Sequence, residues 1–188
     1  CVLFGGYLAG GGNTGQTYEY DGSTWTIMVP SYSPPAGTST NMWFDDIVGR
    51  TYYYSGFSGS YGTWSWDGSR WRLECAEVPS AYTPAVAFDR QRHVGVLFAG
   101  MNSSGYVSET WEFDGTRWIR RIPLTASPGG RQLTTGAYFE AIGKFVVFGG
   151  WANVFLNDTW EWDGSDWTLG NHYAAQAPAA RYAPAMVY

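Results

Sequence analysis

The sequence T-W-E-W-D-G-S-D-W, residues 159–167, decides the fold because three similar stretches precede it in the chain. Within it, Trp160 and Trp162 alternate with Thr159 and Glu161, which is the period of two expected of a β-strand. Asp-Gly then favours a tight turn, since glycine reaches positive φ and Asp bonds its neighbouring backbone. Each copy is therefore predicted to be a β-hairpin with its aromatic side chains in the core. The other copies are T-Y-E-Y-D-G-S-T-W (17–25), T-W-S-W-D-G-S-R-W (63–71) and T-W-E-F-D-G-T-R-W (110–118).

The composition indicates a globular all-β protein. The 188 residues are 45% hydrophobic and 19% aromatic, with 25 Gly and 9 Pro. Aromatic residues favour pleated strands, and Gly and Pro favour the turns between them. The net charge of -5 argues against nucleic acid as a partner, because phosphate binding needs a basic surface. No apolar run reaches the roughly 18 residues of a membrane-spanning helix, so no membrane partner is expected.

Each hairpin belongs to a larger repeat. An apolar run that ends in small residues precedes it, and apolar residues at successive positions predict a strand buried on both faces. A further strand precedes each internal run, and six residues separate the two strands. Each repeat is therefore predicted to hold four short strands joined as a meander. The apolar runs are residues 1–6, 51–56, 95–100 and 145–150, and the six-residue hairpin loops are 45–50, 89–94 and 139–144.

The repeat resembles that of the kelch family. The last Trp of each copy recurs at intervals of 46, 47 and 49 residues, close to the kelch period. The second and third repeats have Ser55-Gly56 and Ala99-Gly100 where the family has a glycine doublet. This resemblance implies a β-propeller of four-stranded antiparallel blades. The matching residues are Gly5-Gly6, Tyr18 and Trp25 in the first repeat, and Gly149-Gly150, Trp160 and Trp167 in the fourth.

The repeats predict one propeller domain over residues 1–188, or a four-blade part of a larger propeller. Residues 182–188 align with residues 82–88, so residues 178–188 are predicted to form a first strand, whereas residue 1 begins at a second strand. The last strand could complete the first blade, or two chains could pair into an eight-blade homodimer. A solution mass measurement distinguishes these outcomes. The repeats are approximately 1–35, 36–79, 80–128 and 129–177, followed by 178–188.

Residues that carry metal or redox chemistry are few. His93 lies in a predicted hairpin loop and His172 follows the last strand, so a shared metal site is not expected and no cofactor is predicted. Cys1 and Cys75 are too few for a disulfide framework. The two cysteines do not determine the cellular compartment, and extracellular and periplasmic locations are both compatible with them.

A carboxylate recurs on the third strand at Glu19, Glu112 and Glu161, where the second repeat has Ser65. An acidic ring for acid–base work or calcium binding is one interpretation. The interpretation we favour is structural, because these residues lie on the face opposite the aromatics and show no partner at a defined spacing.

The loops from second to third strands vary while the hairpins do not. They comprise residues 7–16, 57–62, 101–109 and 151–158. Binding residues are concentrated on such loops because a rigid scaffold fixes their positions. The kelch resemblance implies that this end of the ring receives the partner. The aromatic residues predicted to bind a ligand there are Tyr7, Phe57, Tyr61, Tyr106, Trp151 and Phe155.

Arg131 and Arg181 give a second signal at the same end, since each stands three residues after a Pro at the start of a first strand. Two guanidinium groups could hold a carboxylate, as in an acidic peptide or a sialic acid. The alternative is that each arginine bonds backbone carbonyls of a neighbouring blade.

The sequence favours a noncatalytic binding scaffold for a protein or glycan ligand, which uses the second-to-third and fourth-to-first strand loops. The alternative is a kelch-like propeller enzyme acting on a sugar, similar to a sialic acid epimerase or an oxidase. Such an enzyme needs a convergent acid and base. The predicted first strands, 38–44, 82–88, 132–138 and 182–188, contain no ionisable residue except tyrosine, which favours binding.

Overall fold

The computed structural model of the chain describes residues 1–38, 41–56, 61–170 and 177–187. These residues form strands and loops without a helix, which confirms the all-β prediction. Within the same ranges no helix is long and apolar enough to span a membrane. The chain divides into two compact units, Cys1–Val78 and Pro79–Tyr188. Their boundary falls beside the predicted junction between the second and third repeats, and the prediction of one domain stays a prediction.

The first unit contains two antiparallel sheets whose strands follow one another in chain order. Its first sheet is three-stranded and its second is four-stranded, as the meander predicts. The first sheet consists of β1 (Val2–Phe4), β2 (Thr17–Tyr20) and β3 (Trp25–Met28). The second consists of β4 (Asn41–Asp45), β5 (Arg50–Ser55), β6 (Gly62–Trp66) and β7 (Trp71–Cys75).

The second unit repeats the four-stranded meander twice. The strands of the third repeat are β8 (Ala85–Asp89), β9 (Val94–Phe98), β10 (Met101–Asn102), β11 (Gly105–Tyr106), β12 (Thr110–Phe113) and β13 (Trp118–Arg121). The third sheet has the order β8-β9-β12-β13, while β10 pairs with β11 alone. The fourth sheet consists of β14 (Thr135–Phe139), β15 (Lys144–Trp151), β16 (Phe155–Trp162) and β17 (Trp167–Leu169).

The six-residue hairpin loops are confirmed, with the outer two residues of each paired in the ladder, as Asp45 is with Arg50. Two of the longer loops are more ordered than predicted. Residues 101–109 include the β10–β11 hairpin. The prediction of a loop over 151–158 was wrong, because β15 continues to Trp151 and β16 begins at Phe155. The cross-strand pairing leaves only residues 152–154 as a turn, with Asn153 at φ 63.

The Asp-Gly turns are confirmed as self-contained backbone caps. The Asp163 carboxylate accepts the backbone N–H groups of Ser165 and Asp166 at 2.8 and 2.9 Å, and the Ser165 hydroxyl at 2.7 Å. Gly164 adopts φ 102, a conformation that side chains rarely allow. The turns at Asp21, Asp67 and Asp114 have the same bonds.

The first strand predicted over 178–188 is not assigned in the described residues up to 187. A strand requires a hydrogen-bonded neighbouring strand, and this segment instead bonds at single residues to β16 and to the segment before β14. Arg181 N–H donates to the Leu156 carbonyl at 2.9 Å and Ala183 N–H to that of Leu133 at 2.8 Å. Completion of the first blade by this segment stays a prediction.

The repeated Trp is a core residue in three of the four copies. Trp167 is 2% exposed and its ring lies 4.7 Å from that of Phe98 in the neighbouring sheet. Trp71 is buried in the corresponding cluster of the first unit, and Trp118 is buried too. Trp25, in contrast, is 50% exposed on β3, where the core prediction was wrong. Trp71 and Trp167 pack against the sheet that precedes their own in the chain, at Phe4 and Phe98, and the described residues contain no sheet before the first.

Neighbouring sheets in each unit are joined by two indole hydrogen bonds. In the second unit, Trp167 Nε1–H donates to Thr110 Oγ1 at 2.8 Å, and Trp162 Nε1–H donates to Glu112 Oε1 at 2.9 Å. In the first unit, Trp71 donates to Thr17 at 2.8 Å and Trp66 to Glu19 at 2.6 Å. Thr and Glu of one copy thus receive the two tryptophans of the next copy. We call these the indole–acceptor bonds.

Trp167→Ala should lower the free energy of unfolding of the second unit by roughly 3–5 kcal/mol, because it removes a buried indole and leaves a cavity. The matched change at the exposed copy, Trp25→Ala, should cost about 1 kcal/mol or less. Urea unfolding monitored by circular dichroism measures both. Equal costs at the two positions would contradict the assignment of Trp167 to the core.

Stability should also fall in acid through the Asp-Gly turns. Burial acts to raise the pKa of Asp114, but hydrogen bonds from Thr116 and Arg117 lower it to about 2. Because the folded pKa lies below the unfolded value, this contribution is present above about pH 4 and is lost as the pH falls towards 2. Unfolding of the wild type and of Asp114→Asn between pH 2 and 7 measures it. The two stabilities should converge as the pH falls, and a constant difference would refute the linkage.

Candidate functional site: an aromatic groove beside the fourth sheet

The glycine doublet at the end of β15 lets two chain segments approach it closely. Gly149 and Gly150 have φ 63 and 109. A Cβ on Gly149 would lie 2.7 Å from the Arg181 carbonyl oxygen, and one on Gly150 would lie 2.9 Å from that of Gln132. Such distances are too short for a side chain, which confirms that this pair permits close backbone approach. The result is that the segments around residues 132 and 182 flank the β15–β16 turn.

An open groove of about 330 Å³ lies where these segments meet the turn. Trp151 and Phe155 come from the β15–β16 hairpin, where they form the last cross-strand pair. Gln132 is fixed beside Trp151 by two backbone bonds of 3.0 and 2.8 Å between the residues. The aromatic groove is defined here by its lining residues, Gln132, Leu133, Trp151, Phe155 and Tyr182.

Three rings of the aromatic groove contact one another. Phe155 and Tyr182 stack with their centroids 5.5 Å apart and their planes inclined by only 17°. Trp151 meets the Phe155 ring edge-on at 4.9 Å and the Tyr182 ring at 6.3 Å. Phe155 and Tyr182 nevertheless remain 53% and 50% exposed. The groove therefore presents held aromatic surface to solvent.

The structure brings together three of the predicted aromatic residues. Trp151 and Phe155 line the groove, and the Tyr106 hydroxyl donates to Asn153 Oδ1, at the tip of the same turn, at 3.2 Å. Tyr7 and Tyr61 belong to the first unit, where they are 71% and 51% exposed. Phe57 lies outside the described residues.

Arg131 does not offer its guanidinium to a ligand. It is 3% exposed, and its Nη1 and Nη2 groups donate to the two Asp158 carboxylate oxygens at 2.6 and 2.8 Å. Nη1 and Nε also donate to the carbonyls of Gly149 and Gly129 at 3.1 and 3.0 Å. Burial acts to raise the pKa of Asp158, but the bonds from Arg131 hold it below its usual value. These contacts favour a structural role for Arg131, but the carbonyls that it bonds belong to its own repeat and not to a neighbouring blade.

Arg181 occupies the same repeat position but is exposed. Its Nε–H donates to the Ala179 carbonyl at 2.9 Å, just as Arg131 Nε–H donates to Gly129. A clamp of two arginines on one carboxylate is therefore not formed, since one of the pair is already neutralised within the chain.

The recurrent carboxylates have partners, although the sequence shows none at a defined spacing. Glu112 is buried, and it accepts hydrogen bonds from Trp162 and from Arg92, and from Arg121 at 2.7 Å. Burial acts to raise its pKa, but the bonds from Arg92 and Trp162 hold it below its usual value. Glu161 accepts from Lys144 Nζ at 2.7 Å. These contacts support the structural interpretation over an acidic ring.

The second sheet has Ser65 in place of Glu, and the carboxylate at this position comes instead from Glu74 on the neighbouring strand β7. Ser65 Oγ–H donates to Glu74 Oε1 at 2.5 Å, and Arg50 Nη1 donates to the same oxygen at 3.0 Å. A carboxylate and a cation therefore meet at this position even though the second copy of the hairpin pattern has no Glu there.

The remaining chemistry is sparse in the described part of the chain. His93 is exposed in the β8–β9 hairpin with φ 57, and His172 lies outside the described residues. The described ranges contain no group of three or more His, Cys, Asp or Glu side chains placed to hold a metal ion.

Sequence reasoning missed Gln132, Leu133 and Tyr182, because all three were assigned to first strands. The signal was nevertheless present in the repeat. Gln132 and Tyr182 each follow an arginine whose backbone carbonyl accepts a bond from the second residue of a small-residue pair, Gly100 for Arg131 and Gly150 for Arg181. Tyr82 also pairs with Met101 in the same way that Gln132 pairs with Trp151.

No model of a known protein family matches the sequence, and the search of curated proteins gives no match. The kelch resemblance thus stays a prediction from the repeat. The function has to be argued from the groove.

Arg131→Ala should lower the free energy of unfolding of the second unit by roughly 3 kcal/mol, because it leaves the Asp158 carboxylate without its cation. Arg181→Ala, at the equivalent exposed position, should change it by less than about 0.5 kcal/mol. Chemical denaturation of both variants measures the difference. A stable Arg131→Ala protein would mean that the buried ion pair contributes little.

Proposed function

We propose that this chain is a noncatalytic binding scaffold, built from kelch-like propeller blades, that recognises a protein or glycan ligand at the aromatic groove. The blade interpretation is supported by the repeated four-stranded meander and by indole–acceptor bonds that recur between successive sheets in both units. A repeat that directs indole donors to the sheet before it and offers Thr and Glu acceptors to the sheet after it suits an architecture of radial repetition.

The position of the groove supports binding at the variable loops. Trp151 and Phe155 are the strand residues that flank the β15–β16 turn, a second-to-third strand connection, whereas Gln132 and Leu133 lie before β14 and Tyr182 lies where a further first strand is predicted. The turn and the segment before β14 belong to the two kinds of connection that the sequence predicts to carry the ligand. Loops on a rigid sheet hold their side chains in place before the ligand arrives, which lowers the entropic cost of binding.

The observation that carries the proposal is the cluster of three contacting rings, two of which are half exposed. Exposed apolar surface that is held in a fixed arrangement is typical of binding sites rather than of inert surface. None of the five groove residues is a carboxylate or a histidine. This favours binding over acid–base catalysis on a sugar, which needs a positioned proton donor and acceptor.

Arrays of immobilised glycans and of peptides, probed with the labelled full chain, test the proposal. We expect a reproducible set of bound features that Trp151→Ala and Tyr182→Ala each reduce at least tenfold, because each removes one wall of the groove. Tyr32→Ala is the matched control, since Tyr32 is 62% exposed and lies in the first unit. Features retained by the groove variants but lost in the control would place the binding surface elsewhere.

A further inference from the structure

The aromatic groove is electrically neutral, which narrows the chemistry of its ligand. Its polar side-chain groups are the Gln132 amide, the Tyr182 hydroxyl and the Trp151 indole N–H, and none of its five lining residues carries a charge at neutral pH. Of the charged groups nearest to it in the chain, Arg131 and Asp158 form a bidentate pair, while Arg181 is exposed and donates its Nε–H to the Ala179 carbonyl. Burying an unpaired ionic group is costly, so the lining suits an uncharged ligand. Amides and hydroxyls both donate and accept, which matches a ligand bearing hydroxyl groups.

The arrangement of the rings suits a flat ligand with an apolar face. The ring planes of Phe155 and Tyr182 are nearly parallel, with 17° between them. The plane of Trp151 is inclined by 67° to that of Phe155 and by 66° to that of Tyr182. The groove is thus bounded by rings in two directions. Aromatic faces carry negative charge and attract groups with positive edges. The C–H groups on one face of a pyranose sugar are polarised in that sense, and its hydroxyls point outward towards the amide.

The size of the groove separates a sugar from an extended peptide. Its volume of about 330 Å³ is at the lower end of the range of small-molecule pockets. A proline-rich peptide in the polyproline II conformation repeats every three residues, or about 9 Å, and needs a row of aromatic pockets at that spacing. The five residues here form a single cluster. One or two sugar units fill it, whereas such a peptide would leave it after one contact.

We infer that the aromatic groove binds a neutral pyranose sugar, either alone or as the end of a neutral glycan. Trp151 and the Phe155–Tyr182 pair supply the stacking surfaces, and the Gln132 amide bonds the ring hydroxyls. This inference rests on the proposed binding function and adds the class of ligand to it.

Ligand-observed NMR on the full chain tests the inference, with the methyl glycosides of glucose, galactose, mannose and N-acetylglucosamine as probes. We expect saturable binding of at least one of them with a dissociation constant of about 1 mM, as is reasonable for a ligand of this size. Trp151→Ala should weaken it at least tenfold and Gln132→Ala severalfold. Tyr32→Ala should leave it unchanged. Circular dichroism of each variant shows that the fold is retained.

Removal of a single hydroxyl is a gentler second test where an alanine variant fails to fold. Tyr182→Phe keeps the ring and removes the hydroxyl, so binding should persist with a loss smaller than that of Trp151→Ala. Loss of binding in Tyr182→Phe as large as in Trp151→Ala would overturn the assignment of stacking as the main contribution.

Two further probes distinguish failure of this inference from failure of the proposed function. Tighter binding of N-acetylneuraminic acid than of all four neutral glycosides would overturn the neutral class. Binding of a decaproline peptide that depends on Trp151, with no glycoside bound, would overturn the sugar while leaving the binding scaffold in place. Failure of the glycosides, the decaproline peptide and both arrays to show any Trp151-dependent binding would overturn both.

Discussion

The indole–acceptor bond is the interaction on which the rest of the structure depends. Trp167 and Trp162 reach from the fourth sheet to Thr110 and Glu112 of the third, and Trp71 and Trp66 repeat the geometry in the first unit. Each bond satisfies a buried indole N–H, and the acceptors Thr110 and Glu112 are themselves buried. One copy of the repeat must therefore supply both donors and acceptors. This requirement explains why the nine-residue pattern varies so little.

Because the hairpins are fixed in this way, variation is confined to the connections between them. The segment before a first strand packs its backbone against the small-residue pair at the end of the second strand. This close packing determines which side chains lie next to one another. Gly150 leaves room for Gln132 beside Trp151, and Gly100 leaves room in the same way for Tyr82 beside Met101. The backbone geometry of the two sites is thus equivalent, while their side chains differ. The aromatic groove follows from the residues that occupy this frame in the fourth sheet.

Local patterns in the sequence were sufficient to predict the strands, the Asp-Gly turns and the hairpin loops, since each depends on residues close together in the chain. They also located Trp151 and Phe155 at the connection from the second to the third strand, but wrongly as loop residues, since both lie in the strands. They could not predict that Tyr182 stacks on Phe155, because that contact depends on how the last segment crosses Gly149. The partners of Glu112 were missed for the same reason. Its donor Trp162 comes from another repeat, 50 residues away, and no spacing within one repeat encodes that distance.

The position just before the repeated Thr shows how a charge is accommodated in this frame. It is Gly62 in the second sheet, Glu109 in the third and Asp158 in the fourth, and in the last two it accepts the indole N–H of the Trp two residues later. An acid held there also needs a cation. Arg131 supplies it to Asp158 from the segment before β14, whereas that segment has Ala81 in the third repeat and Arg120 pairs with Glu109 at 3.0 Å instead. The cation comes from the segment before the first strand in the fourth sheet and from the fourth strand in the third sheet. Arg131 is thus the partner that Asp158 requires, and its presence is explained without a ligand.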